Sequence, residues 1–305
     1  MRPLRGIGLK IGSVVLFIAM TSLIKATSQH VPPGQAVFFR SFFAIPVILV
    51  WLSMRHELHL GVGTGNYIGH FWRGLMGVMS MGLGFAGLGY LPLPEVTAIG
   101  YASPLLVVVF AAMFLSEKVG AWRLGAVGLG MIGVLIVVAP RLSVGAGASD
   151  AEKLGATLVL ASALFSALAQ VFVSKLVQTE RMATIVFWFS FNAAALSLVT
   201  LPFGWVVPTP MDAALLVLAG LLGGVGQILL TSSYREADAS VVAPFEYASI
   251  LFALGIGYAV FDEVPTLTML AGASLVVMAG ILIIWRERKL GLERARQRKA
   301  MTPQG

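Results

Sequence analysis

The chain has 305 residues, of which 58% are hydrophobic and only 11% charged, with a mean hydropathy of +0.89 and a net charge of +7. A soluble surface needs about 25% charged residues, so this composition excludes a soluble body, as well as disorder, collagen and a nucleic-acid module. At roughly 20 apolar residues per crossing plus a short connection, the length predicts about ten membrane spans.

Ten hydrophobic segments, each bounded by charge, Pro or Gly, are predicted to cross the membrane as helices. In chain order they cover residues 8–26, 34–53, 71–91, 94–115, 121–139, 154–177, 182–203, 211–233, 239–261 and 266–285. The first resembles a secretory signal, but no A-x-A-like cleavage site follows it, and we therefore expect an uncleaved first span.

The distribution of Lys and Arg predicts the orientation of the spans. With the N-terminus in the cytoplasm, seventeen basic residues lie on the cytoplasmic side, and Lys25, Arg141 and Lys153 lie outside. Both termini are therefore predicted to be cytoplasmic, with the loop at residues 143–149 external. The basic tail, residues 289–305, then follows from topology and attraction to anionic lipid, without a role for nucleic acid.

The chain also contains an internal repeat. At an offset of 146 residues, 74–77 align with 220–223, Tyr101 with Tyr247 and Glu117 with Glu263, and at an offset of 149, 38–42 align with 187–191. Each copy holds five spans, an odd number, so the second copy is expected to lie inverted in the membrane. Inverted repeats are typical of secondary transporters. We predict one repeat at residues 1–140 and the other at 150–288.

Two motifs carry a family resemblance, and the second of them recurs in the second half. The first is Arg-Ser-Phe-Phe-Ala at residues 40–44, and the second ends span 4 with Leu-Ser-Glu at 115–117 before Gly125, Gly128 and Gly133. The second recurs as Phe-Asp-Glu at 261–263 before Gly272 and Gly280. In these motifs each half resembles an EamA-type unit of the drug/metabolite transporter superfamily, over about residues 7–285.

The resemblance implies an all-α membrane protein of the bacterial inner membrane, with ten helices in two inverted five-helix halves. It implies a central cavity lined mainly by helices 1, 3, 4, 6, 8 and 9. Members with this layout include YddG-like exporters of amino acids and importers of bulkier metabolites. The resemblance places Arg40 outside the cavity helices, and Phe189 replaces it in the second half, so a structural role is expected for Arg40.

Several kinds of chemistry have little support in the sequence. There is no cysteine, and the paired His56 and His59 have no carboxylate cluster nearby to complete a metal site. Two GxGxxG strings, at 82–87 and 128–133, lie inside apolar spans and indicate helix packing instead of nucleotide binding. No GxxxxGK[ST] motif is present. No metal, cofactor or catalytic residue is therefore predicted.

Polar residues deep within spans are costly and usually face an interior, which makes them candidate solute contacts. The candidates are Ser80, Tyr101, Gln170, Gln227, Glu246 and Tyr247. Pro104 and Pro244 are expected to loosen the backbone near Tyr101 and beside Glu246. Glu246 is expected to accept a substrate ammonium or to carry a coupling proton; the alternative is an ion pair with Arg40 or a position near the cytoplasmic surface.

The predicted function is secondary transport. An intramembrane enzyme needs a nucleophile and base that the spans lack, and channels usually form their pores by subunit symmetry or rings of like charge. The neutral, aromatic and hydroxyl-bearing candidates suit small amphiphilic or zwitterionic solutes, and argue against polyanions, which need several buried Arg and Lys. Export of amino acids or similar metabolites by a monomer is the first hypothesis. Import of a bulkier nucleoside- or vitamin-like metabolite is the alternative.

Overall fold

The computed structural model describes residues 3–114, 120–142, 149–237 and 239–301, and the regular structure in these ranges is helical. The helices are α1 Pro3–Thr27, α2 Pro33–Met54, α3 Leu58–Val62, α4 Tyr67–Leu88, α5 Leu93–Gly100, α6 Ala102–Phe114, α7 Ala121–Leu142, α8 Asp150–Leu176, α9 Met182–Ser197, α10 Pro210–Glu236, α11 Ala239–Val242, α12 Ser249–Phe261 and α13 Leu267–Met301. Short 3₁₀ segments cover Leu198–Thr200 and Ala243–Ala248. The predicted positions of Glu117 and of the external loop at 143–148 lie outside the described residues.

Nine segments in the described part of the chain are helical, long enough and apolar enough to cross a membrane. The helix at the third predicted span, α4, is not one of them, although its 22 residues give a length of about 33 Å. It begins at Tyr67, four residues before the predicted start, and it carries His70, Arg73 and a series of glycines. The tenth crossing therefore remains a prediction.

The fourth and ninth predicted spans are each interrupted. Tyr101 lies in a turn between α5 and α6, and Tyr247 lies in the 3₁₀ segment between α11 and α12. Pro104 has no N–H for the carbonyl four residues earlier, which weakens the helix at this turn. The loosening predicted beside Pro104 and Pro244 is confirmed, and it occurs at the two tyrosines that are repeat counterparts.

The main helix contacts follow the same order in both halves. By the repeat, α1 corresponds to α8, α2 to α9, α4 to α10 and α7 to α13. The pair α1–α10 then corresponds to α8–α4, and α2–α10 to α9–α4; all four pairs are in contact. The pairs α2–α9 and α7–α13 each join two counterparts. For these pairs, exchanging the halves leaves the helix contacts unchanged.

Single residues repeat this pattern. A Cβ placed on Gly77 would lie 2.6 Å from the ring of Phe189, and one on Gly223 would lie 3.4 Å from the Nε of Arg40. Gly77 and Gly223 are counterparts at the offset of 146, and Arg40 and Phe189 at the offset of 149. The two halves thus use corresponding positions to contact each other.

The predicted helix-packing role of the glycine strings is confirmed at the positions that face a neighbouring helix. Gly133 and Gly272 bring α7 and α13 together, because a Cβ on either would lie within 2.7 Å of the other's carbonyl oxygen. In α4, Gly84 and Gly87 face Ser162 and Val159 of α8. Gly128 has no neighbour within 4 Å of its Cβ position. Lipid provides no hydrophobic drive between helices, so close approach at small residues holds these contacts.

Large apolar side chains also cover much of the outer surface. Val50, Phe203, Leu251 and Val260 are among those exposed on several helices. Apolar patches of this extent are unusual on soluble proteins and fit contact with lipid. The last helix, α13, continues through Met301, so the predicted tail at 289 does not begin at the end of a helix.

Candidate functional site

Tyr101 and Tyr247 form the centre of the candidate site, where the two interrupted spans meet. Their ring centroids are 5.0 Å apart in an edge-to-face arrangement, and both side chains are buried. The Tyr101 hydroxyl lies 2.5 Å from the Oγ of Ser249 and donates to the backbone oxygen of Tyr247 at 3.3 Å. The two tyrosines are counterparts in the sequence repeat, and both belong to the same cluster of buried residues.

A glycine on the last helix makes room for the second tyrosine. The Tyr247 hydroxyl lies against the backbone of Gly280 in α13, where any Cβ would overlap it. Gly280 is part of the second family motif. The structure explains the glycine there, because only a residue without a Cβ leaves room for the Tyr247 hydroxyl.

Glu246 lies beside Tyr247 and forms an ion pair with the Nζ of Lys10 in α1. The Lys10 side chain is only 1% exposed, whereas the Glu246 side chain is 52% exposed. The alternative that Glu246 pairs with Arg40 is wrong, because its partner is Lys10. The site therefore combines a buried cation, an accessible carboxylate and two aromatic hydroxyls.

Three other candidates lie elsewhere on the helices, outside the contacts described above. The Oγ of Ser80 in α4 lies 3.4 Å from the Oγ of Ser162, which donates to the Ser80 carbonyl at 2.7 Å. Gln227 is half-buried on α10, and Gln170 is exposed on α8. Ser80 thus has a role in joining α4 to α8, and solute contact by all three remains a prediction.

Arg40 is buried on α2, and a second arginine lies near it. The guanidinium carbon of Arg40 is 5.5 Å from the centre of the Phe189 ring, and that of Arg73 in α4 is 3.4 Å from the same centre. The sequence interpretation placed Arg73 and Lys10 among the cytoplasmic charges. Lys10 is buried and Arg73 is half-buried among the helices, and their position on the cytoplasmic side stays a prediction.

One end of the bundle is tied by Lys25 and Glu263. The Nζ of Lys25 lies 2.8 Å from Glu263 and donates to the carbonyls of Leu88 and Leu91 at 3.1 and 2.7 Å. Glu263 also accepts a 2.8 Å hydrogen bond from the backbone N–H of Leu93. This Lys25 end, predicted to be external, is therefore joined across α1, the start of α5 and the connection between α12 and α13.

A second ionic group lies at the ends of α5, α7 and α8. Arg141 donates two hydrogen bonds to Glu95, at 2.7 and 3.0 Å, and also pairs with Glu152. The predicted external charges Lys25 and Arg141 thus both have carboxylate partners.

A cavity of about 150 Å³ lies near the same end, between α1, α2 and α4. Ile24, Val31, Ala36 and Phe85 are among the residues that line it, and none of the six candidates does. Ligand pockets usually enclose about 300–1,000 Å³, so this cavity is too small for a typical metabolite.

Sequence reasoning missed three residues of the arrangement: Lys10, Arg73 and Ser249. A signal for the first two was available, because Lys10 and Arg73 lie inside the predicted spans at 8–26 and 71–91 and not before them. Ser249 has no such signal, since serines are common in these helices and its contact with Tyr101 joins residues 148 positions apart.

The sequence model of the EamA-like transporter family matches this chain twice, at residues 4–139 and 153–286. The pseudopaline exporter CntI of Pseudomonas aeruginosa is 30% identical over 91% of this chain and 95% of its own length. A riboflavin transporter of Rhizobium johnstonii is 30% identical over 85% of this chain and 83% of its own.

An S-adenosylmethionine uptake transporter of Rickettsia bellii is 28% identical over 93% of this chain and 94% of its own length. A solved crystal structure superposes with a TM-score of 0.66 at 18% identity, covering 95% of this chain and 99% of the other. The overall fold is therefore shared with an experimentally determined protein.

Proposed function

Because the chain belongs to the EamA-like transporter family, a family of multi-pass membrane transporters, we propose that it is a secondary transporter that exports amino acids or similar small metabolites. The observation that carries the proposal is the ion pair of Lys10 and Glu246 beside Tyr101 and Tyr247. Opposite charges at this depth are costly to maintain and are usually functional.

The pair matches the two charges of a zwitterion. A solute carboxylate replaces Glu246 as the partner of Lys10, and the released Glu246 accepts the solute ammonium. Charge-assisted hydrogen bonds of this kind are about twice as strong as neutral ones. The two tyrosines add an apolar face with hydroxyls, which accommodates more than one side chain.

Alternating access follows from the repeat. The contacts of α1 with α10 and of α8 with α4 are counterparts, and so are those of Gly77 and Gly223. These equivalences support two inverted halves, residues 1–140 and 150–288, that exchange conformations around a central site. In the present conformation the Lys25 end is tied by ion pairs, and about half of the Glu246 side chain is exposed.

The proposal includes the membrane, the orientation of the chain and its oligomeric state. The charge asymmetry supports an inner-membrane protein with cytoplasmic termini, and the basic residues after 285 support attraction to anionic lipid. Tyr101 and Tyr247 come from the two halves of one chain and contact each other, which supports a monomeric transport unit.

The test is transport by purified protein in liposomes, with labelled neutral, acidic and basic amino acids, loaded on either side, with and without a pH gradient. We expect flux of a zwitterionic amino acid, and at least a tenfold loss in Glu246→Gln. Tyr258→Ala, an exposed tyrosine of α12, is the matched control for Tyr101→Ala and Tyr247→Ala. Wild-type rates in all site variants would show that the solute binds elsewhere.

Import of a bulkier metabolite is the second candidate, favoured by the relatives named for S-adenosylmethionine uptake and riboflavin transport. The same liposomes, tested with these two compounds, separate the candidates. Inward flux of either compound, with no flux of amino acids, favours the importer.

A further inference from the structure

Buried donors without partners are concentrated where α2, α4 and α9 meet. The Nε of Arg40, the Oγ of Ser41, and the Nε and Nη1 of Arg73 are inaccessible and have no hydrogen-bond partner. Nearly all buried polar atoms in proteins have a partner, so each exception requires an explanation. The three guanidinium nitrogens can only donate, which indicates a missing acceptor, while the Ser41 hydroxyl and the two ring nitrogens of His70 in α4 are also without a hydrogen-bond partner.

The two arginines lie close enough to share one acceptor. Their guanidinium carbons are 5.5 and 3.4 Å from the centre of the same Phe189 ring, so they lie within about 9 Å of each other. Gly77 and Gly223 make the space: a Cβ on Gly77 would lie 2.8 Å from Arg73, and one on Gly223 would lie 3.4 Å from Arg40.

The protein provides no carboxylate for this pair. Among the described residues, neither Arg40 nor Arg73 forms an ion pair, and nearby Glu180 accepts a 2.6 Å hydrogen bond from Thr64. The face of Phe189 attracts a cation, but it leaves the N–H groups at the guanidinium edge without acceptors. Two charges of the same sign, one buried and one half-buried, therefore lie near each other without a carboxylate partner, an arrangement that is unfavourable.

We propose that Arg40 and Arg73 form an anion-binding site for a carboxylate group of the transported solute, separate from the carboxylate that pairs with Lys10. The guanidinium fork binds carboxylates in a bidentate geometry, and an oxyanion between the two would compensate both charges. The expectation from sequence that the spans lack buried cations for anionic solutes is revised accordingly. The proposal depends on the proposed function for the identity of the anion, but not on the Lys10–Glu246 pair.

The test is thermal unfolding of the purified protein in nanodiscs of neutral lipid, with sodium acetate, citrate or phosphate replacing chloride at constant ionic strength. We expect saturable stabilisation by acetate or citrate, and at least a tenfold weaker apparent affinity in Arg40→Gln and in Arg73→Gln. Arg55→Gln is the matched control, because Arg55 also lies over an aromatic ring, that of Trp51, but is exposed and paired with Glu57.

A second measurement separates binding from a structural role. Arg73→Met removes an uncompensated charge, so without added anion its melting temperature should equal or exceed that of the wild type. A lower melting temperature in Arg73→Met, with no anion response in the wild type, would overturn the proposal. Stabilisation that occurs only with added phosphatidylglycerol assigns the pair to a lipid headgroup and also overturns it. Thermal unfolding measures anion binding and not transport. The anion site can therefore be disproved while zwitterion transport is observed, and anion binding can be observed while zwitterion transport is not.

Discussion

At the scale of single residues, the candidate site is defined by an unequal ion pair. Lys10 is enclosed by helices and has Glu246 as its partner, whereas half of the Glu246 side chain remains accessible. Loss of the carboxylate leaves a buried ammonium with no charged partner, but loss of the ammonium leaves a carboxylate that can still be solvated. The cost of removing one partner depends on the burial of the group that stays behind.

This asymmetry predicts different effects of two substitutions on stability. Glu246→Gln should lower the free energy of unfolding by about 1–3 kcal/mol, because Lys10 loses its charged acceptor. Lys10→Met should change it by less than about 1 kcal/mol, since methionine fills a similar volume. Denaturant unfolding in one detergent checks both, and a larger loss in Lys10→Met contradicts the assignment.

The Tyr101 hydroxyl gives a second prediction at this scale. Tyr101→Phe keeps the ring contact with Tyr247 but removes the hydrogen bonds to Ser249 and to the Tyr247 carbonyl. We expect a loss of about 0.5–1.5 kcal/mol in the free energy of unfolding. Tyr258→Phe, at an exposed position of α12, is the control; equal effects of the two changes would show that the hydroxyl has no structural role.

At the scale of elements, glycine positions determine which helices approach closely. Within the single string at 128–133, Gly133 contacts the backbone of α13, while Gly128 has no neighbour within 4 Å. The sequence alone does not distinguish Gly128 from Gly133, because both are small residues in an apolar helix. Only the rotation of α7 toward α13 gives one of them a packing role.

The two glycines provide a matched test. Gly133→Ala places a Cβ 2.7 Å from the Gly272 carbonyl and should destabilise the protein by about 1–3 kcal/mol. Gly128→Ala meets open space and should be neutral or stabilising by up to about 1 kcal/mol, because alanine loses less backbone entropy in a helix. The melting temperatures of both variants are compared with that of the wild type in the same detergent. A lower melting temperature for Gly128→Ala than for Gly133→Ala would contradict the α7–α13 contact.

At the scale of the whole molecule, the family model matches the chain twice, and several helix contacts correspond between the two matched parts. Lys25 and Glu263 tie one end, and Arg5 and Glu236 lie 3.5 Å apart at the other. The distribution of basic residues predicts that the Lys25 end faces the external side of the membrane. The absence of cysteine makes this placement testable with single introduced thiols.

Two introduced cysteines should differ in accessibility. Val207→Cys lies in the exposed connection before α10 and should react with a membrane-impermeant maleimide in intact cells with a permeable outer membrane. Leu4→Cys, exposed near Arg5, should react only after the inner membrane is disrupted. The cysteine-free parent is the control for background labelling, and reaction of Leu4→Cys in intact cells would reverse the topology.

The sequence by itself determined the membrane class, the position of most spans, the repeat and the interruptions beside Pro104 and Pro244. These features depend on local physics, because apolar length decides whether a segment enters lipid and proline removes a donor wherever it stands. The equivalence of Tyr101 and Tyr247 was also readable, since it is a property of the alignment of the two halves.

Only the tertiary structure decided which of these polar residues meet. Lys10 and Glu246 are 236 positions apart, and their contact depends on how α1 and the segment before α12 are rotated toward each other. The same holds for Arg40 and Arg73, which come from α2 and α4 to one ring on α9. The sequence shows that a charge lies within a span. The partner of that charge is set by helix rotation and crossing, which depend on packing along the whole interface.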